Sequence, residues 1–198
     1  MFIQIIQAKC TRQDEAKALV DRWIEEMGPH AIGWLGGTYG FTDDDMFVGV
    51  VRFESREKAM ENSQHPRQGE WWAEMEKCLD GPAEFHDCDD VTLMLNGGSD
   101  DAGFVQMIRG KVDDADTLRA MMTDTEALHE MRPDILGGLL AIEDDGTFTE
   151  TVFFTSEEDA RRYEVEAPMP AEMQQQMEMA MHDVSYIDLH RPWFSSKK

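Results

Sequence analysis

The chain begins with a short apolar run that is followed by a segment of helical spacing. Residues 2–9 are mainly apolar, with polar Gln4 at an alternating position, and this pattern predicts a β-strand. Residues 14–27 place apolar side chains at helical spacing after Thr11, a candidate N-cap, and therefore predict a helix. The pattern thus opens with a strand and a helix.

The same half of the chain continues with a hairpin, a broken helix and a last strand. Residues 34–41 and 46–54 are apolar stretches joined by an acidic turn, which favours a β-hairpin. Helical spacing follows Ser55, breaks at Pro66 and resumes, and residues 86–95 are predicted as the last strand. The order strand, helix, strand, strand, helix, strand is that of a ferredoxin-like, or split β-α-β, fold.

The second half of the chain repeats this order. The segment Phe2–Ile6 recurs as Phe104–Ile108, and further matches follow in the same sequence. The further matches pair Gly33 with Gly137, Phe53 with Phe154, and His86-Asp87 with His182-Asp183. We therefore predict two ferredoxin-like repeats, residues 1–95 and 104–198, joined by a flexible glycine-rich connection at 96–103.

A single repeat of this kind would leave one face of its sheet without helices. Two antiparallel sheets packed face to face would bury both bare faces and enclose a pocket. The predicted fold class is therefore α+β, with the tandem repeats forming a barrel-like pseudo-dimer within one chain. Assembly of the whole chain into a homodimer stays open.

The charge balance and the cysteines narrow the choice of partners and compartment. Eighteen Lys and Arg stand against 41 Asp and Glu, and the net charge of −23 would repel nucleic acid and anionic membranes. No apolar stretch is long enough for a membrane span and no signal-peptide pattern opens the sequence, so we expect a cytoplasmic protein. Three cysteines without paired spacing predict reduced thiols.

Several segments resemble the antibiotic-biosynthesis-monooxygenase-like domains of the dimeric α/β barrel superfamily, present here in tandem. These segments are the strand starts 2–5 and 104–107 and the stretches 50–59 and 152–160. The resemblance implies the fold more than the activity, because the superfamily includes cofactor-independent oxygenases of aromatic polyketides, haem-degrading oxygenases and isomerases. The pattern of the haem-degrading members is not matched, since Gln4 stands where they have an Asn and Cys78 where they have a His.

The densest group of functional side chains surrounds the break in the second helix. Asn62, His65 and Trp72 are the candidate catalytic residues, and Trp71, Trp34 and Arg52 are the candidate substrate contacts. In an oxygenase of phenols, tryptophan faces would hold the ring while Asn or His accepts the phenolic proton. A structural role, with one Trp in the core and His65 in solvent, is the alternative. The second repeat lacks this group, so one site per chain is expected.

Two other patterns have side chains that bind metals, but structural roles explain them better. His86, Cys88 and Asp90 alternate along a predicted strand and would share one face. Four methionines recur at every fourth position from Met169 to Met181, a spacing that suits Cu(I), yet methionines at helical spacing usually fill cores. We predict no metal site.

The sequence thus supports one functional hypothesis and two alternatives. We expect a cofactor-independent, monooxygenase-like protein that binds a small apolar aromatic substrate, phenolic or of polyketide type, in a pocket of the first repeat. The first alternative is a non-catalytic module that binds a hydrophobic ligand or assembles with itself, and the second is a haem-binding or haem-degrading oxygenase. The acidic surface disfavours haem propionates, so no cofactor is expected.

Overall fold

The chain folds as two compact units, each built on its own antiparallel sheet. The structure is a computed structural model, and it describes residues 1–123 and 125–197. Unit 1 comprises Met1–Asp89 and the C-terminal segment that begins at Trp193, and unit 2 comprises Asp90–Pro192. The units and the sequence repeats therefore have different boundaries, because each unit includes a short strand from the other repeat.

Unit 1 contains the predicted ferredoxin-like order of elements. Its strands are β1 (Phe2–Lys9), β2 (Trp34–Phe41), β3 (Met46–Phe53), β4 (Glu84–Cys88) and, from the end of the chain, β10 (Trp193–Ser196). Its helices are α1 (Gln13–Glu26), α2 (Arg56–Ser63) and α3 (Pro66–Glu76), with a 3₁₀ turn at Gly28–His30. The strand order in the sheet is β10-β2-β3-β1-β4, and all neighbours are antiparallel.

Unit 2 repeats this architecture. Its strands are β5 (Asp90–Met94), β6 (Phe104–Val112), β7 (Ile135–Ile142), β8 (Thr147–Phe154) and β9 (Met181–Leu189). Its helices are α4 (Ala115–Thr123), α5 (Glu126–Met131), α6 (Glu157–Glu166) and α7 (Ala171–Ala180). The order β5-β7-β8-β6-β9 matches that of unit 1 strand for strand and confirms the predicted tandem α+β fold. No helix in the described ranges is long and apolar enough to cross a membrane.

The segment 86–95, predicted as a single last strand, is two strands in two different sheets. β4 ends at Cys88 in unit 1, and β5 begins at Asp90 in unit 2. At the end of unit 2 the chain likewise passes from β9 to β10, which belongs to unit 1. The prediction was wrong because the pair Asp89-Asp90 is as compatible with polar positions inside one strand as with a passage from one sheet to another.

The helix starts follow the predicted capping chemistry in two cases and depart from it in one. Ser55 and Ser156 cap α2 and α6, and each hydroxyl accepts a hydrogen bond from a backbone N–H three residues later. Thr11 does not cap α1, whose N-cap residue is Arg12. The backbone N–H of Thr11 instead donates to the Asp80 carboxylate at 2.6 Å, which ties the start of α1 to the loop after α3.

The strand registers define which residues of the two units are equivalent. Phe2 pairs with Phe53 in unit 1 as Phe104 pairs with Phe154 in unit 2. Two of the sequence matches were out of register: the equivalent of Gly137 is Gly36 rather than Gly33, and the equivalent of His86 is Ile187 rather than His182. Strand register, rather than sequence similarity, therefore defines the equivalent residues of the two units.

Trp193 fastens β10 to the sheet of unit 1 by side-chain packing in addition to backbone pairing. Its ring stacks on Tyr39 with centroids 5.8 Å apart and lies 5.5 Å from the ring of Phe41 and 6.5 Å from that of Phe47. The Lys17 ammonium group lies 5.0 Å from the centroid of the same indole. These contacts give the last strand an apolar anchor over β2 and β3.

Replacement of this anchor should destabilise unit 1 selectively. We expect Trp193→Ala to lower its free energy of unfolding by about 2 kcal/mol, less than for a fully buried Trp because the ring is half-buried. All five tryptophans lie in unit 1, so tryptophan fluorescence during urea unfolding reports on this unit through the remaining four. Tyr186→Ala, at an exposed ring of unit 2, is the control, and an unchanged midpoint for Trp193→Ala would contradict the packing role.

Candidate functional site

Each unit has a pocket at the same place, between the helices and the face of the sheet that they cover. Gln4, Ile6 and Phe53 line the pocket of unit 1, and their equivalents Gln106, Ile108 and Phe154 line the pocket of unit 2. The volumes differ, at about 60 Å³ in unit 1 and about 190 Å³ in unit 2. A cavity of about 150 Å³ accepts benzene, so only the pocket of unit 2 has room for an aromatic ring.

Aromatic side chains of the protein itself occupy most of the pocket of unit 1. Trp23, Trp71 and Trp72 form a continuous series with ring centroids 6.2 and 6.0 Å apart. Tyr39 closes the sheet side over Gly49, where a Cβ atom would lie 3.4 Å from the tyrosine ring. The predicted pocket of the first repeat therefore exists, but it is filled by its own rings.

Asn62 lies at the edge of this pocket and is used by the backbone. Its side-chain oxygen accepts a hydrogen bond from the Ile32 N–H at 3.1 Å, and the residue is 7 % exposed. The equivalent of Ile32 in unit 2 is Pro133, which has no N–H, and the equivalent of Asn62 is Tyr163. Unit 1 thus has an asparagine side chain where the Ile32 N–H needs an acceptor, and unit 2 lacks it at the position where proline offers no N–H.

The two candidate tryptophans of α3 are also held by their surroundings. The Trp71 indole N–H donates to the Leu19 carbonyl at 2.8 Å, and the Trp72 ring lies 5.2 Å from the ring of Phe85. A neighbouring residue, Gln68, accepts a hydrogen bond from the Trp23 indole at 2.7 Å. These contacts fix the rings that fill the pocket.

The other three candidates lie outside this pocket. His65 is exposed and caps α3, where its Nδ1 accepts from the Arg67 backbone N–H at 3.3 Å. Trp34 is a core residue, packed edge-on against Trp23 at 5.3 Å. Arg52 lies on the opposite face of β3 from the pocket, and its guanidinium donates to the Ser196 hydroxyl at 3.0 Å. The structure brings Asn62, Trp71 and Trp72 together but not these three, and a catalytic role for any of the six stays a prediction.

A surface groove of about 290 Å³ lies between α1 and α3 of unit 1. Its floor is formed by Trp23 and Trp71, and its walls carry exposed charged side chains. These side chains are Arg22, Glu26, Arg67, Glu70 and Glu74. Water therefore reaches the charged side chains along this groove.

The cavity of unit 2 is mainly apolar, and methionines form much of its wall. Met169, Met173 and Met177 lie along one face of the segment that leads into and forms α7, and Met121 and Met122 of α4 contribute from another side. The sequence predicted the α7 methionines as core filler. Met169 is 43 % exposed, so this series lines a cavity instead of filling it.

Glu150 of β8 places a carboxyl group in this apolar cavity. Burial raises its pKa from the usual 4.5 to about 7, because the ionised form loses hydration in these apolar surroundings. By strand register, the unit 1 equivalent of Glu150 is Gly49. Leu140, which pairs with Glu150, is the equivalent of Tyr39, which pairs with Gly49. Unit 1 thus has a ring over a glycine where unit 2 has a smaller side chain beside an ionisable group.

A second polar feature, the pair Arg132 and Asp134, lies at another end of the same cavity. The guanidinium donates from Nε at 2.9 Å and from Nη2 at 2.7 Å to the two carboxylate oxygens of Asp134, which is 2 % exposed. The Thr155 N–H donates to the Asp134 carbonyl, and in unit 1 the Glu54 N–H donates to the Gly33 carbonyl in the same way. Gly33 is therefore the equivalent of Asp134, and Ala31 is the equivalent of Arg132. Neither Glu150 nor this pair was predicted from the sequence. An alignment of the two repeats in the correct register would have matched these charged residues of unit 2 with small residues of unit 1.

One cluster of metal-binding side chains occurs among the described residues, and it is explained by ion pairing. Glu157, Asp188 and His190 bring a ligand atom each to within 4.8 Å of one another. The His190 Nδ1 lies 2.6 Å from a Glu157 oxygen, and the Arg161 guanidinium lies 2.5 Å from Asp188. In unit 1 the equivalent positions form the Arg56–Asp89 pair, with Asp87 3.5 Å from Arg56. The guanidinium cation of Arg161 already pairs with Asp188 of this cluster, which disfavours a metal cation there.

Comparison with solved structures confirms the fold. A protein of Lactobacillus acidophilus provisionally named a monooxygenase superposes with a TM-score of 0.77 at 12 % identity, over 98 % of this chain and 95 % of that protein. An anthrone oxidase-like protein gives 0.68 at 9 % identity, over 98 % and 92 %. A ferredoxin-fold protein of Listeria monocytogenes related to antibiotic biosynthesis monooxygenases gives 0.50 at 11 %, over 95 % and 94 %. The chain therefore has the tandem fold of monooxygenase-like proteins of this type, as the resemblance implied.

Neither a protein-family model nor a curated protein sequence matches the chain. The likeness to solved structures, at these identities, concerns the fold, and the chemistry must be argued from the side chains.

The raised pKa of Glu150 should make the stability of unit 2 depend on pH in a defined direction. The folded protein binds the Glu150 proton more tightly than the unfolded chain does. The free energy of unfolding should therefore fall as the pH rises from 4.5 to about 7. Above that pH, Glu150 should cause no further decrease. Glu150→Gln should remove this component and raise the free energy of unfolding at pH 8 by about 2 kcal/mol.

The difference between wild type and variant, measured by urea unfolding and far-UV circular dichroism from pH 5 to pH 8, isolates this one group. Glu158→Gln, at an exposed residue of α6, is the matched control and should run parallel to the wild type. A parallel curve for Glu150→Gln would contradict the burial of this carboxyl group.

Proposed function

We propose that this protein is a cofactor-independent monooxygenase of small phenolic aromatics and that the reaction takes place in the cavity of unit 2. One observation carries the proposal: a partly enclosed, mainly apolar cavity with room for an aromatic ring is lined by Glu150, a carboxyl group whose pKa is raised to about 7. A base with this pKa is half-ionised near neutral pH, where it can both accept and return a proton. The names of the structural neighbours agree with oxygen chemistry on such a fold.

Glu150 acts as the general base in this reaction. Its carboxylate accepts the phenolic proton, and the resulting phenolate is electron-rich at the ring carbons ortho and para to its oxygen. The apolar wall of methionine, leucine and phenylalanine side chains limits the contact of the anion with water and admits oxygen, which is itself apolar. Deprotonation in this setting therefore prepares the ring to react with oxygen without a metal or flavin.

The electrons balance without an external reductant. A ring carbon of the phenolate forms a bond to one oxygen atom of O₂, and the proton held by Glu150 passes to the distal oxygen to give a hydroperoxide. Loss of the ring proton at that carbon with cleavage of the O–O bond releases water and leaves a quinone carbonyl. The substrate loses four electrons and O₂ gains four, with one oxygen atom in the product and one in water.

The site proposed here is in the second unit, whereas the sequence favoured the first. The pocket of unit 1 has about 60 Å³ and is filled by Trp23, Trp71 and Trp72, which also support the core. Unit 2 has about 190 Å³ because methionines and Leu140 replace that aromatic filling. This volume is below the ~300 Å³ of typical drug-sized sites, so a single ring with short substituents is the substrate class that fits.

Substitution of the base should separate binding from turnover. We expect wild-type protein to consume oxygen with a panel of single-ring phenols and Glu150→Gln to lose at least ~100-fold of that rate, because general base catalysis contributes about 10²–10⁴-fold. Binding of the same phenols, measured by titration calorimetry, should change little, since the amide keeps the size and polarity of the acid. Glu158→Gln should behave as wild type.

Two results would contradict the proposal. Binding without oxygen consumption across the panel would support the non-catalytic ligand-binding module instead. Loss of turnover in Asn62→Ala or Trp72→Ala, with Glu150→Gln as active as wild type, would place the reaction in the pocket of the first unit. Each variant should be compared at equal folded concentration, verified by circular dichroism.

Haem should not bind either pocket. The cavity of unit 2 is smaller than typical drug-sized sites, and Glu150 would lie close to the anionic propionates. We expect the Soret band of added haem to stay where it is in buffer. A shifted Soret band that saturates at one haem per chain would overturn this and support the haem-oxygenase alternative.

A further inference from the structure

We infer that the aromatic substrate carries a neutral carbonyl group at the end of the ring away from the ionising hydroxyl, and that Arg132 recognises this carbonyl. The inference rests on the proposed function, because it concerns the same cavity and takes Glu150 as the group that faces the hydroxyl. It adds the chemical class of the substrate, a hydroxyaryl ketone or aldehyde, and a specificity-determining residue.

The position of Arg132 relative to Glu150 is set by the strands. Glu150 and Phe154 line the cavity from the same face of β8, four residues or about 13 Å apart. The Arg132 guanidinium lies 5.9 Å from the ring of Phe154, and the chain enters β7 directly after it, at Ile135, which pairs with Phe154. Arg132 and Glu150 are therefore at opposite ends of the space along the strand direction.

The guanidinium of Arg132 is fixed and only partly used. Nε and Nη2 are both bonded to Asp134, which orients the planar group, and the side chain is 17 % exposed. Within residues 1–123 and 125–197, Nη1 makes no hydrogen bond, so its two N–H groups remain available to a ligand in the cavity that Arg132 lines. An oriented donor beside an apolar space is the typical means by which a pocket selects one polar group on a ligand.

The charges of the cavity select a neutral acceptor over an anion. Asp134 neutralises Arg132 within a buried bidentate pair, so the pair offers donors without net positive charge. Two further carboxyl groups, Glu150 and Glu164, line the same cavity. A carboxylate on the ligand would meet three acidic side chains and one arginine, whereas a carbonyl oxygen would gain a hydrogen bond with no added charge.

The comparison of the two units separates this site from the scaffold. Gln4 donates to Asp87 and Gln106 donates to Asp188, both at 2.8 Å, so this polar contact is common to the two units and belongs to the fold. Arg132, Asp134 and Glu150 have Ala31, Gly33 and Gly49 as their equivalents. At these three positions the charged residues are in the unit with the larger pocket, and small residues are in the other.

Three phenols of matched shape test the inference by titration calorimetry with the full-length protein. 4-Hydroxyacetophenone has the carbonyl, 4-ethylphenol replaces it with a methylene group, and 4-hydroxybenzoate replaces it with a carboxylate. We expect the ketone to bind at least tenfold more tightly than either of the others. Equal affinities for the ketone and 4-ethylphenol would overturn the inference and leave the proposed function intact.

Variants then assign the preference to Arg132. Because Arg132→Gln alone would leave Asp134 buried without a partner, the double variant Arg132→Gln/Asp134→Asn is used, and it should bind the ketone no better than 4-ethylphenol. Asp134→Asn alone keeps Arg132 and frees its charge, so it should bind 4-hydroxybenzoate at least tenfold more tightly than wild type does. A merely structural Arg132 would produce neither change, and unchanged selectivity in both variants would overturn the assignment.

The outcomes also distinguish this inference from the proposed function. Selective binding of the ketone without oxygen consumption would support the carbonyl site and contradict the monooxygenase. Oxygen consumption with 4-ethylphenol as fast as with the ketone would support the monooxygenase and contradict the carbonyl site. If none of the three phenols binds at millimolar concentration, both are wrong.

Discussion

The side chains between the helices and one face of each sheet determine what each unit of this protein can do. The backbone frame is the same in both units, since strand order and register are repeated. In unit 1, Trp23, Trp71 and Trp72 fill the interval and leave about 60 Å³. In unit 2, flexible methionines leave about 190 Å³, and a carboxyl group is exposed to that apolar space. Packing density, rather than a change of fold, therefore separates a closed unit from an open one.

The same packing accounts for the electrostatics. At the glycine position of unit 1, a Cβ atom would already contact the Tyr39 ring at 3.4 Å, so a longer side chain there would share its space with that ring. In unit 2, Leu140 stands in place of the ring, and the surrounding apolar groups raise the pKa of Glu150. The smaller side chains that leave the cavity open therefore also surround its ionisable group.

The sequence predicted the architecture well but did not predict the polar groups of the unit 2 cavity. Alternation of apolar residues and the internal repeat were sufficient for the strand and helix order of both units, because these patterns are local. The passage of the chain from one sheet to the other at Asp89 was missed, since polar residues also occur within single strands and Asp89-Asp90 alone does not mark a change of sheet. Glu150 and Arg132 were missed because their significance depends on their unit 1 equivalents, Gly49 and Ala31, and those become visible only when strand pairing corrects the alignment. Asn62 and the tryptophans were singled out as candidates because their residue types suggest chemistry. In the structure the tryptophans also fill space, and Asn62 accepts a hydrogen bond from a backbone N–H.

The placement of β10 reverses the order in which the two sheets are completed along the chain. Unit 2 has all its strands by Leu189, whereas the sheet of unit 1 lacks its edge strand until Trp193–Ser196. A folding chain in which β10 has not yet docked has an unpaired edge on β2, and the rings of Tyr39 and Phe41 lack their Trp193 contacts. Such an edge favours pairing with other chains. The sheet that begins first along the chain is therefore completed last, by a strand that follows all of unit 2.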